Sequence, residues 1–241
     1  MDFAATSFRG NVLRHHSDAT GVDVRLARAG EGPSFDRLVD LAGVAAESDL
    51  IESIDDSSAA DLLLQVSRSG DRNPLRLAAA QVMEPYQLVP FFRRVSLPLL
   101  AVHPSEGPVG ALQGIVPGNV ATRCLELGWP ASVVASLAIR VAKIAAVAVQ
   151  PSSSRQGVGH AMLDTACSIY FDAGYRLVYG YFRPQDAHLH DFYRGAGFNL
   201  PSRPISVGLA GDLVVDIQTE PDAGHQMFAL TLNAWKKRAL P

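Results

Sequence analysis

The run V-A-V-Q-P-S-S-S-R-Q-G-V-G-H-A-M-L, residues 147–163, constrains this chain more than any other stretch. Upstream of it, I-R-V-A-K-I-A-A-V-A-V-Q is rich in Val, Ile and Ala and ends at Pro151, the pattern of a buried central strand. Downstream, Met162, Leu163, Ala166, Cys167 and Tyr170 fall on one helical face, and Gly174 supplies a C-cap. A strand, a glycine turn and a helix together form a device for holding phosphate. Unpaired backbone N–H groups and the helix dipole converge at the helix start, and glycine lets an anion approach without a Cβ in the way. Gln156, Gly157, Val158, Gly159 and His160 stand at that point. Gly-x-Gly alone is equally an ordinary tight turn. A dinucleotide fingerprint requires a third glycine where this chain has Met162, and no G-x-x-x-x-G-K-[ST] run exists.

The rest of the chain reads as alternating elements. Residues 1–21 lack periodicity and are expected to be a flexible arm; residues 22–241 are expected to be one domain. Val22 to Ala27 is strand-like, and Pro33 opens a helix over F-D-R-L-V-D-L-A-G-V-A-A. Helices are expected at 59–66 and 75–92, the latter interrupted by Pro85 and Pro90. L-P-L-L-A-V-H and V-G-A-L-Q-G-I-V, around Ser105, Glu106, Gly107 and Pro108, predict a hairpin of strands 97–103 and 109–116. Residues 119–137, broken at Gly128-Trp129-Pro130, read as an insertion. Y-R-L-V-Y-G-Y-F is the next strand and D-A-H-L-H-D-F-Y-R-G-A-G-F a short helix; D-L-V-V-D-I-Q-T and Q-M-F-A-L-T-L-N-A-W are two late strands.

With 241 residues, 48% hydrophobic and 19% charged, the chain can bury a sizeable core and carries no apolar run of the ~20 residues a membrane helix needs. The start lacks a signal-peptide pattern, so the expected location is cytoplasmic. Cys124 and Cys167 are too few for a disulfide framework or a paired zinc spacing, and no metal site is expected. A net charge of −3 gives no general attraction to nucleic acid, and the Lys236-Lys237-Arg238 cluster reads as solvated.

Two segments together resemble the GCN5-related acetyltransferases. Residues 147–163 are similar to that family's acyl-CoA-binding motif, a strand ending V-x-P followed by Q/R-x-x-G-x-G/A. About thirty residues later, R-P-Q-D-A-H-L-H-D-F-Y-R-G-A-G-F resembles the next family motif, N-x-x-A-x-x-(L/F)-Y-x-x-x-G-F. Ser154 stands where the first motif usually has Arg or Gln, with Arg155 beside it, and Asp186 and Leu189 replace the usual Asn and Ala. The resemblance implies an α/β (α+β) fold with a mixed central sheet of six to seven strands, helices on its flanks and a splayed pair of central strands.

It also implies acetyl-CoA as cosubstrate and N-acetyltransferase activity on a primary amine of a small molecule or peptide. The backbone of Val147, Ala148 and Val149 would pair with the pantetheine arm. Arg155, Gln156, Gly157, Val158, Gly159 and His160 would take the pyrophosphate, and Asp186 and Tyr193 would complete the cofactor site. Tyr193 is the implied general acid; its other reading is a packed aromatic. No carboxylate lies on the central strand, so the base is sought among Glu126, His103, His188 and His190, with Glu126 the first choice. Tyr179 and Tyr181 are expected to line the acceptor side or to pack the sheet. The insertion at 119–137 and the helices at 55–93 are expected to wall the acceptor. A non-catalytic acyl-CoA-binding module and an enzyme acting on charged tRNA are the other readings, and a homodimer through late strands would suit the family.

Overall fold

The computed structural model describes residues 14–17, 21–208, 214–217 and 224–233. Its strands are β1 (Arg14–Ser17), β2 (Val22–Leu26), β3 (Leu97–His103), β4 (Gly107–Ile115), β5 (Val141–Val149), β6 (Leu177–Phe182), β7 (Ile205–Gly208), β8 (Val214–Ile217) and β9 (Gln226–Thr231). Its helices are α1 (Gly32–Asp40), α2 (Ser48–Asp55), α3 (Asp61–Ser69), α4 (Asn73–Ala80), α5 (Leu88–Val95), α6 (Gly118–Glu126), α7 (Ala131–Ala138), α8 (Val158–Ala173) and α9 (Ala187–Gly195). Seven strands form a mixed sheet in the order β1-β2-β3-β4-β5-β6-β9, in which only the β5–β6 pair is parallel. The parallel pair requires a crossover, and α8 supplies it.

Helices cover both faces. Phe35, Leu38 and Val39 of α1 with Leu50 and Ile54 of α2 pack on Leu100, Ala111, Ile115 and Ala146 of the sheet. Helices of eight or nine residues are unstable alone, so burial holds them, each large apolar side chain contributing roughly 1.5–3 kcal/mol. The opposite face carries α8, backed by α3, α4, α5 and α7 in one continuous core. Arg93 of α5 donates to Asp49 Oδ1 at 2.9 Å and Glu52 Oε2 at 2.7 Å, tying down the start of α2.

The hairpin, central strand and cofactor-type helix fall where the sequence places them, and Gly174 caps α8 in the left-handed region. Three readings change. Residues 14–17, expected within an arm, pair with β2. The helix expected over 75–92 is two helices joined through a 3-10 turn at Pro85–Gln87, while Pro90 sits in the first turn of α5, where no N–H is needed. α2 was not foreseen. The first late strand does not join the main sheet: β8 pairs with β7 as a separate hairpin, each strand burying alternate residues only. The 119–137 segment is α6 and α7. Residues 1–13, the ends of the late strands and Lys236-Lys237-Arg238 lie outside the described residues. Among the described residues no helix is long and apolar enough to cross a membrane, and both cysteines are buried free thiols.

Candidate functional site

The site begins with one extra residue. β4 and β5 pair Gln113 with Ala146 and then Gly114 with Ile144, so Ala145 is a β-bulge. A bulge bends its strand and increases its twist. β5 and β6 pair from Val141↔Leu177 to Ile144↔Gly180 and then part, immediately before that bulge. Beyond this junction β5 keeps only β4 as a neighbour.

The orientation of the open edge follows from the ladder. Gln150 donates its N–H to the Val109 carbonyl at 2.8 Å, so residues 150, 148 and 146 turn their backbone groups toward β4. The N–H and C=O groups of Val147 and Val149 therefore point the other way, into the gap that β6 has left. An extended amide-bearing chain laid there would find strand-like partners.

That edge leads into the glycine turn. After a 3-10 turn at Pro151–Ser153, Arg155 adopts φ 60° and Gly157 φ 84°, and α8 starts at Val158. No side chain caps the helix, so the first-turn N–H groups are left to an outside acceptor. Arg155 and Gln156 are exposed, and Gln156 Nε2 donates to the Ser152 carbonyl at 3.0 Å. The other two predicted loop residues serve packing as well. A Cβ on Gly159 would meet the Phe192 ring at 3.0 Å, so that glycine lets α9 approach α8. His160 Nε2 lies 3.2 Å from the Phe192 carbonyl; an oxygen there only accepts, so the nitrogen carries the proton. Asp186 is half-buried at the N-cap of α9 without a side-chain cap bond.

Tyr193 is 6% exposed, and its ring stacks on Phe228 at 3.6 Å and 11°. Phe228 stands opposite Gly180 across β6 and β9, where a methyl group would overlap both its ring and the Ile144 carbonyl oxygen. Tyr193 thus sits one ring away from the point where β5 and β6 separate. Burial raises its hydroxyl pKa, so it is a proton donor at neutral pH.

On the α1–α2 face a cleft of about 280 Å³ opens at the bulge, lined by Glu47, Gln113, Lys143, Ala145, Tyr181 and His225 among others. Lys143 Nζ lies 5.9 Å from the Tyr181 ring centre, and burial pushes the Tyr181 hydroxyl up to about 12. Glu47 keeps solvent access, yet the surrounding protein desolvates its carboxylate and raises its pKa; Asp49 adds to the rise and Lys143 opposes it. Gln113 Oε1 and His225 Nδ1 are buried without hydrogen-bond partners. A second cleft of about 420 Å³ lies between α6 and β8, lined by Asn119, Arg123, Cys124, Trp129 and Asp216, and it shares Tyr181 with the first.

Of the four residues sought as a base, none lines either cleft. Glu126 and His188 are exposed, His103 sits at the hairpin tip 3.1 Å from Ser105 Oγ, and His190 packs edge-on against Phe182 at 4.9 Å. The helices at 55–93 line neither cleft, whereas α6 walls the larger one. Glu47, Lys143, Gln113 and His225 escaped the sequence reading because no local motif marks them.

Residues 90–198 match the model of the acetyltransferase (GNAT) family. No curated protein matches the sequence. Among solved structures, Arabidopsis thaliana NAA60 in complex with acetyl-CoA is similar at a TM-score of 0.50 and 12% identity, over 88% of this chain and 99% of that one. The GNAT domain of S. lividans PAT has a TM-score of 0.48 and 14% identity, over 93% and 99% of the two chains. Spermidine/spermine N-acetyltransferase SpeG from Vibrio cholerae has 0.48 and 10%, over 92% and 99%. At such identities the likeness is one of fold.

Proposed function

From the premise that residues 90–198 belong to the acetyltransferase (GNAT) family, we propose that this protein transfers an acetyl group from acetyl-CoA to a primary amine. The observation that carries the reading is the open edge of β5 at Val147 and Val149, which runs directly into the uncapped start of α8. A pantetheine arm fits the first and a pyrophosphate the second. The solved NAA60 complex, with acetyl-CoA in the same type of fold, supports the assignment.

Bound there, acetyl-CoA supplies an acyl thioester as electrophile and a thiol leaving group. The protein's own contributions are then three. A backbone N–H on the open edge donates to the thioester oxygen as negative charge develops on it. Glu47 takes a proton from the acceptor ammonium, so that the nitrogen lone pair can form the new N–C bond. Tyr193 would give its proton to the sulfur as the C–S bond breaks, and the second proton that the attacking nitrogen must lose to become an amide would pass through solvent to the tyrosinate. Glu47 supplies the carboxylate that the central strand lacks, which weakens the reading as a non-catalytic binding module. His225 is the second candidate for the base, on account of its buried, unpartnered Nδ1 in the same cleft.

Release of free CoA thiol across a panel of amines tests the activity. Gly157→Glu places a side chain and a like charge in the anion cradle at a left-handed position, and acetyl-CoA affinity by titration calorimetry is expected to fall more than about tenfold. Unchanged affinity in a folded variant would sink the cradle. Tyr193→Phe keeps the ring stacked on Phe228 and removes only the proton; kcat is expected to fall about a hundredfold with acetyl-CoA affinity intact. An unaltered kcat would return Tyr193 to the core.

A further inference from the structure

The small cleft at the bulge is lined by charges of both signs: Glu47 from the loop before α2, and Lys143 from β5. Gln113 lines the same cleft and is 1% exposed, and its Oε1 has no hydrogen-bond partner. Gln113 and Ile115 alternate onto one face of β4, and their partners Ala146 and Lys143 share that face because the Ala145 bulge falls between them. A buried acceptor without a donor is costly unless something fills it. What would fill it next to a carboxylate and the open β5 edge is an N–H donor carrying positive charge.

A site built only to attract cationic amines would gain nothing from a lysine in its wall. Lys143 cancels the charge of Glu47 and disfavours acceptors that bring two positive groups into the cleft. It offers an ammonium to an anionic group a few ångströms along the sheet from the amine position.

Resting on the acetyltransferase reading above, we infer that the acceptor is a small zwitterionic amine of the amino-acid class. Its ammonium is held by Glu47 and Gln113 Oε1 beside the open edge, its carboxylate by Lys143, and its body lies against Tyr181. Lys143 thereby determines specificity: it touches the part of the acceptor that does not react.

The test compares three acceptor sets at fixed acetyl-CoA: free amino acids, the same amino acids as C-terminal amides, and aliphatic diamines. The full-length protein is expected to prefer the free acids over the amides by about tenfold or more in kcat/KM, and the diamines least. Lys143→Met is expected to abolish that preference by raising KM for the acids about tenfold more than for the amides, and Lys143→Arg to restore it. Equal rates with acids and amides, diamines as the best acceptors, or equal losses on acids and amides in Lys143→Met would each overturn the inference. Acetyl-CoA binding with none of these amines acetylated overturns it too but leaves the cofactor reading standing; absence of acetyl-CoA binding removes both.

Discussion

Replacing Glu47 with glutamine is expected to lower kcat/KM for amine acetylation by about a hundredfold or more, the usual loss when a positioned general base is removed. The variant keeps the shape of the side chain, and Glu47 makes no hydrogen bond that a fold-level explanation would need, so its thermal stability is expected to stay within about 2 °C of the parent. The pH profile separates a base from a mere anchor. Glu47 acts only when ionised, and its pKa lies above the ordinary 4.5. Activity in the parent therefore falls as pH drops through that raised value, and in Glu47→Gln this acidic limb disappears. The charged or titratable neighbours are Lys143 on β5, which lowers the value, Asp49 on α2, which raises it, and His225 and Tyr181 in the cleft wall. If Glu47→Gln retains full rate and His225→Asn removes the limb instead, the imidazole is the base.

Gly180→Ala is expected to be the most damaging conservative change to the fold. The added methyl meets the Ile144 carbonyl oxygen, which is backbone and cannot turn aside, and the Phe228 ring, which is stacked on Tyr193. Overpacking of this kind costs roughly 3 kcal/mol. For a chain of this size that corresponds to a melting temperature lower by roughly 6–12 °C, readable by scanning calorimetry. Because the overlap falls at the last β5–β6 pair, acetyl-CoA affinity is expected to drop together with stability. A melting temperature within about 2 °C of the parent would mean that the junction has slack the packing does not suggest.

These two residues illustrate what the sequence could and could not reveal. Gly157, Gly159 and the strand and helix around them are contiguous, so periodicity and turn chemistry were enough to find them. Tyr193 was legible through its short motif. Glu47 was not: it belongs to the site only because α1 and α2 bury their apolar stripes on Leu100, Ala111 and Ile115 and so carry the intervening loop to the mouth of the cleft. His225 comes from the far end of the chain by the pairing of β9 with β6. Glu126 was attractive because it is a carboxylate in a segment expected to wall the acceptor, and α6 does wall a cleft, but with Asn119, Arg123 and Cys124, leaving Glu126 exposed. The partner of the first late strand was not legible for a related reason: alternation predicts a strand but says nothing about which neighbour it finds.

The extra residue at Ala145 also sets rules for anyone who would rebuild this protein. A pleated strand normally puts residues two apart on one side; here Lys143 and Ala146 share a side although they are three apart. β5 is thus written in two reading phases joined at a single position. A chimera spliced before Ile144 or after Ala146 keeps both phases, and its donor segment can be chosen for a new acceptor wall without disturbing the edge at Val147 and Val149. A splice that loses or doubles the residue at 145 exchanges inside for outside along the whole downstream half, so the joint, rather than any side chain near it, is what a designer must inherit intact.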